Sequence, residues 1–190
     1  MKTSTCNSLP SRFPLRIDLA PPPVANPRLK VGIAWAGSPT HQNDRHRSCR
    51  LADLAPLFAL PDVAFYSLQV GPQAAELKEP GCWSGRLVDL GDQLGDYADT
   101  AAVLDQLDVL IAVDTSVLHL ACALGRPAWG MISARSDWRW LLDRDDSPWY
   151  PTLRLFRQAR LDDWSEVFRR TAHALARWAP ELGIDRPASG

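Results

Sequence analysis

Cysteine is scarce in this 190-residue chain and scattered: Cys6, Cys49, Cys82 and Cys122 contain no CxxC pair. That spacing excludes a disulfide framework and a zinc ribbon, so the four read as reduced thiols. No two histidines stand at metal-ligand spacing, and no metal or cofactor is expected. Apolar runs are short. None approaches the roughly 18–20 residues that span a bilayer, which leaves no transmembrane segment. Lys2 is followed by no apolar stretch of the kind a secretory signal needs, so a cytoplasmic location is expected. An excess of either charge is also missing: 21 Lys and Arg against 22 Asp and Glu give −1 at pH 7. A broad basic surface for nucleic acid is thereby excluded. Three signatures are absent as well. There is no GK[ST] ending of a Walker loop, no G-x-S-x-G elbow, and Gly32-Ile33-Ala34-Trp35-Ala36-Gly37 misses the G-x-G-x-x-G spacing of a nicotinamide dinucleotide site.

What is present is a core. The hydrophobic fraction is 46%, and eight tryptophans supply large anchors. The length fits one domain, or two at most. Charge and proline divide the chain unevenly. Residues 1–30 hold six prolines and five Lys or Arg against one Asp, +4 by count, leaving −5 for the rest. We expect 1–29 to be an extended leader or linker, 30–180 the folded domain and 181–190 a tail. Within the domain, apolar runs at Lys30–Ala36, Val63–Leu68, Leu87–Leu90, Asp108–Val113, Pro127–Ile132 and Leu153–Phe156 read as strands. Helical stretches are expected at 51–58, from Pro72 to Lys78, at Tyr97–Leu107, after Asp114, and from a cap at Asp162 or Asp163 to about Trp178. Alternation of this kind predicts an α/β fold, a Rossmann-like doubly wound parallel sheet.

The densest signal is Asp114-Thr115-Ser116-Val117-Leu118-His119, which follows Val109-Leu110-Ile111-Ala112-Val113 with no spacer. It reads as a strand, a tight turn and a helix that Gly125 and Pro127 end. Asp114, Thr115 and Ser116 then stand at the carboxyl end of a buried strand, the edge where open α/β sheets take ligands. The helix start offers unpaired N–H groups and a positive dipole end that suit phosphate. Thr115 and His119 share one helix face. An Asp or Thr cap beside a satisfied histidine would leave the same pattern.

Two further stretches are polar enough to matter. The loop from Gly37 to Arg50 follows the first strand and carries Ser38, Arg45 and Arg47, of which Ser38 and either arginine could meet a phosphate. It reads equally as a solvated loop. In Ser136-Asp137-Trp138-Arg139-Trp140, with Asp143 to Tyr150, Trp138, Trp140 and Trp149 could stack on a base or sugar with Arg139 on phosphate, or could cover the sheet edge as core anchors.

Taken in order, these blocks resemble the carboxyl-terminal half of a GT-B glycosyltransferase, of the heptosyltransferase-like family 9 type often found behind tetratricopeptide repeats. The matching stretches are Val31–Pro39, His41 with Asn43-Asp44 and Arg47-Ser48, Ser67-Leu68-Gln69, Asp99–Ala102, Asp114–Trp129, and Asp137–Trp140 to Trp149-Tyr150-Pro151. The resemblance implies a nucleotide-diphosphate sugar donor, with Thr115, Ser116 and Val117 on the diphosphate, Asp114 and His119 on the sugar side, and Ser38 and Arg47 as further phosphate contacts. It implies inverting, metal-independent transfer, in which an acceptor hydroxyl displaces the diphosphate while a general base takes its proton. The family keeps its acceptor site and that base in an amino-terminal half, so a separate acceptor-binding domain or chain is expected. Ser116 stands where heptosyltransferases carry Gly, and Cys122 where relatives commonly do. A non-catalytic nucleotide-sugar binding module and a sugar-nucleotide epimerase-like enzyme remain as other readings.

Overall fold

In a computed structural model, residues 17–181 of the chain are described, with side chains to Trp178. Six strands, β1 (Leu29–Ala34), β2 (Val63–Ser67), β3 (Leu87–Asp89), β4 (Val109–Val113), β5 (Ala128–Ile132) and β6 (Leu153–Arg157), form one sheet in the order β3-β2-β1-β4-β5-β6. Every pairing is parallel. Short apolar runs become strands here because both sheet faces are covered, so neither has to alternate with polar residues. The α/β doubly wound fold expected from the sequence is the one observed.

The two faces differ in side-chain size. Leu29, Val31, Ile33, Phe65, Ile111, Trp129 and Met131 fill one layer under α2 (Ala55–Phe58) and α5 (Ser165–Glu181). The other face sets small residues, Ala34, Ala64, Ala112 and Ala128, among larger ones such as Tyr66, Leu110, Ile132 and Leu155, under α3 (Tyr97–Asp105) and α4 (Ser116–Ala123). Gly130 shows why: a Cβ there would come within 3.2 Å of Leu118 on α4 and of Leu155 on β6. Small residues let α4 lie close to the sheet, which fixes the height of its amino end above the strand termini.

Local differences from the sequence reading have physical causes. Residues 72–78 are a 3-10 segment, Pro72–Lys78, with no fully buried residue; half-buried Leu77 is its apolar contact with the core, too little to hold a regular α-helix there. The stretch from 51 likewise opens as a 3-10 turn, Leu51–Leu54, before α2. Asp163, one of the two expected caps, accepts from the Ser165 backbone N–H at 3.2 Å. Of the expected leader, residues 1–16 lie outside the described residues. Ile17 is buried under the α3 face, where its carbonyl accepts from Gln106 Nε2 at 2.8 Å. The expected tail beyond 181 also lies outside the described residues. Cys49, Cys82 and Cys122 are free thiols, and burial pushes the Cys122 thiol up to about 12. Among the described residues no helix is long and apolar enough to cross a membrane.

Candidate functional site

The strand order reverses direction between β1 and β4, and the crevice outside the carboxyl ends of strands at such a point is where open α/β sheets bind ligands. A cleft of about 520 Å³ opens there. Three chain segments wall it: Ala36 to Pro39 after β1, Leu68 to Gln73 after β2, and Thr115 to Val117 after β4. Arg47 reaches in from the first loop. Five of the seven residues expected from the sequence, Ser38, Arg47, Thr115, Ser116 and Val117, line this one cleft.

The amino end of α4 is open toward it. Thr115 occupies the N-cap position, yet its side chain makes no capping bond. The first-turn amides of the helix therefore keep the unpaired state that helix geometry imposes. Thr115 Oγ1 is itself buried and has no hydrogen-bond partner, in a residue that is 9% exposed. A buried hydroxyl left unpaired costs free energy that a ligand atom can recover. Donor amides, a helix dipole and an orphan hydroxyl at one point are the chemistry of an oxyanion or phosphate site.

The first loop supplies the positive charge. Arg47, on α1 (Asp44–Arg47), donates from Nε to Asp44 Oδ1 at 3.2 Å and from Nη1 to the Asp114 carbonyl at 2.9 Å. Its guanidinium is thus tied both to its own loop and to the strand end that carries the motif. Gly37 makes the room, because a Cβ there would sit 2.3 Å from Arg47 Nη2. The loop is stitched rather than loose: the Gly37 N–H donates to Ser48 Oγ at 3.0 Å, and Ser48 Oγ donates to the buried Asp44 at 2.9 Å. Ser38 Oγ lies 2.8 Å from Thr40 Oγ1. Arg45, the other arginine considered, donates instead to His46 Nε2 at 2.9 Å.

Asp114 and His119 stand apart from the cleft lining and pair with each other, Nε2 to Oδ1 at 3.6 Å. His119 Nδ1 lies 3.1 Å from the Tyr150 hydroxyl, and the Trp140 ring stacks on the imidazole at 5.1 Å and 18°. Burial raises the Asp114 carboxyl, but His119 first, then the Trp140 indole N–H and the Arg47 charge, outweigh it and hold the group below its ordinary value. The indole acts here from outside ordinary hydrogen-bond geometry, since Trp140 Nε1 has no bonded partner. Of the three tryptophans in the aromatic block, Trp140 is buried, whereas Trp138 and Trp149 are exposed.

Sequence reasoning assigned no site role to Gln69, Glu76 or Tyr150. Gln69 Oε1 accepts from the Trp35 and Ala36 amides at 3.1 and 2.9 Å, fixing the β1 exit against the β2 exit. Glu76 accepts from the Trp35 indole at 3.2 Å and from the Leu51 amide at 2.8 Å. A buried polar side chain just past a strand was the available signal for Gln69. The partners of the other two lie tens of residues away.

Comparison with known proteins agrees at the level of fold. No protein-family profile matches the chain. It is 28% identical over 159 residues to Protein FlbA of Caulobacter vibrioides, covering 80% of this chain and 26% of that protein. Among solved structures, the ADP-heptose lps heptosyltransferase II of E. coli superposes over 83% of this chain and 48% of its own, at a TM-score of 0.58 and 13% identity. E. coli heptosyltransferase WaaC with ADP-2-deoxy-2-fluoro heptose covers 83% and 44%, at a TM-score of 0.48 and 18% identity. The Rossmann-like sheet is therefore a fold shared with a heptosyltransferase domain. The chain spans about a quarter of FlbA and about half of the heptosyltransferase chain.

Proposed function

We propose that this chain is the donor-binding half of a heptosyltransferase-like GT-B glycosyltransferase and holds a nucleotide-diphosphate sugar in the β1–β4 cleft. The observation that carries this reading is the buried, unpartnered Thr115 hydroxyl at the open amino end of α4, with Arg47 held beside it on the Asp114 carbonyl. In this reading the diphosphate accepts from the Ser116 and Val117 amides and the Thr115 hydroxyl. Arg47 and Ser38 neutralise and bond its outer oxygens. Asp114 and His119 meet the sugar beyond the far side of the helix start. The volume of about 520 Å³ suits a ligand of this size.

Transfer would need an acceptor hydroxyl and a base to take its proton. In our reading both come from an acceptor-binding half, on this protein or on another chain, with no metal in the step. The fold shared with the ADP-heptose lps heptosyltransferase II supports the assignment. A cytoplasmic site of action fits a nucleotide-sugar substrate.

The test is a thermal-shift panel of ADP-, UDP- and GDP-sugars on the wild type and Arg47→Ala. Binding at a hundredfold excess over Kd stabilises by about 2.7 kcal/mol. We expect one nucleotide class to raise the melting temperature of the wild type and to do much less for Arg47→Ala. No shift with any donor would reject the reading.

A further inference from the structure

We propose that Tyr150 is a positioning residue of the donor site: its hydroxyl donates to His119 Nδ1 and, with the Asp114 carboxylate opposite, holds the proton on Nε2, so that His119 and Asp114 together grip a sugar hydroxyl. This rests on the reading of the cleft as a nucleotide-sugar site. Three contacts carry it, one from Asp114 after β4 and two from Trp140 and Tyr150 between β5 and β6.

His119 lies between two polar groups. On one side Asp114 Oδ1 is 3.6 Å from Nε2. On the other the Tyr150 hydroxyl is 3.1 Å from Nδ1. A neutral imidazole carries one N–H and one lone pair, and the hydrogen bond at one nitrogen decides the proton at the other. A lone pair aimed at a carboxylate is repelled by it, so the proton belongs on Nε2. Nδ1 is then an acceptor, and a phenol O–H is the donor that suits it. Trp140, stacked on the imidazole at 5.1 Å and 18°, holds the plane of the ring, while Asp114 and Tyr150 together fix its tautomer. Trp140 and Tyr150 both come from the segment between β5 and β6.

The arrangement leaves a donor and an acceptor side by side. The gap between Nε2 and Oδ1 is too long for a direct hydrogen bond. One oxygen about 2.8 Å from each atom would close the triangle. A hydroxyl is the group that fits, because it accepts from Nε2–H and donates to the carboxylate with the same oxygen. A phosphate oxygen cannot donate, so the pair selects the sugar rather than the diphosphate. Both side chains are reachable, at 32% and 19% exposure. Tyr150 itself need not touch the ligand.

The experiment has two arms. Long-range ¹H–¹⁵N correlation spectra of ¹⁵N-histidine-labelled protein report the His119 tautomer without any ligand, assigned against His119→Gln. We expect Nε2–H in the wild type and a mixture of tautomers in Tyr150→Phe. A wild-type Nδ1–H tautomer, or an unchanged spectrum in the variant, overturns the proposal. The second arm measures affinity for ADP and ADP-glucose, UDP and UDP-glucose, and GDP and GDP-mannose. In Tyr150→Phe the sugar nucleotide that binds should weaken about fivefold, while its bare diphosphate is unaffected. Equal losses for both, or none, overturn the proposal and leave the donor-site reading standing. If no diphosphate and no sugar nucleotide binds the wild type, both fall together. If Tyr150→Phe fails to fold, the wild-type Nδ1 shift decides: the upfield position of a nitrogen that accepts a hydrogen bond supports the proposal, and that of a free lone pair overturns it.

Discussion

Thr115 does the opposite of what an N-cap threonine ordinarily does. Its hydroxyl is buried, makes no capping bond and has no partner, so in the free protein it is a cost rather than a support. Thr115→Val removes that cost at nearly constant shape. We expect urea denaturation to show the variant more stable by about 1 kcal/mol, while its affinity for a nucleotide-diphosphate sugar falls. A loss of stability would mean that the hydroxyl is satisfied by water and is not held in reserve. A residue that costs the free state and serves the bound one is the expected signature of function traded against stability. Asp114 gives a second prediction at this scale. Its carboxyl is held below its ordinary value against the opposing pull of burial. It therefore stabilises the fold fully above about pH 4, the ordinary carboxylate range, and that contribution is lost as the pH falls through the lowered value. Stability measured between pH 2 and 6 should drop less steeply for Asp114→Asn than for the wild type.

Between elements, the cleft is held open by bonds that cross from one strand exit to the next. Gln69 joins the ends of β1 and β2 through the Trp35 and Ala36 amides, and Arg47 joins the first loop to the end of β4. Gln69→Leu would leave two buried amides without an acceptor, each costing about 1–3 kcal/mol. The expected outcome is a clear fall in melting temperature, with faster hydrogen exchange at Trp35 and Ala36. Unchanged exchange there would show that the β1 exit is fixed by other contacts. This scale also marks where sequence reading stops. The strands were legible because burial on both faces leaves unbroken apolar runs. The Asp114 turn was legible because a strand, a cap and a helix stand in immediate succession. Gln69 with Trp35, and Tyr150 with His119, were not, since each pair is brought together only by the sheet order. The 72–78 stretch has helix-compatible residues and a proline start, but only packing decides between an α and a 3-10 turn, and half-buried Leu77 is its one apolar contact with the core.

For the whole molecule, the uneven faces of the sheet explain where a ligand can go. Large side chains pack under α2 and α5 on one side, and Ala112, Ala128 and Gly130 let α4 come close on the other. The amino end of α4 is thus brought down to the strand exits at the point where the strand order reverses. Six parallel strands, a switch-point cleft and an open helix end form one device. On our account it takes the diphosphate of a nucleotide sugar, and the acceptor is supplied from elsewhere. The most direct test is a titration of ¹⁵N-labelled protein with ADP-, UDP- and GDP-sugars, followed through backbone amide resonances. The account predicts saturable shifts that are largest at Thr115, Ser116 and Val117 and at Gly37 and Ser38. Saturable binding with its largest shifts away from the amino end of α4, or no binding of any donor, would contradict it.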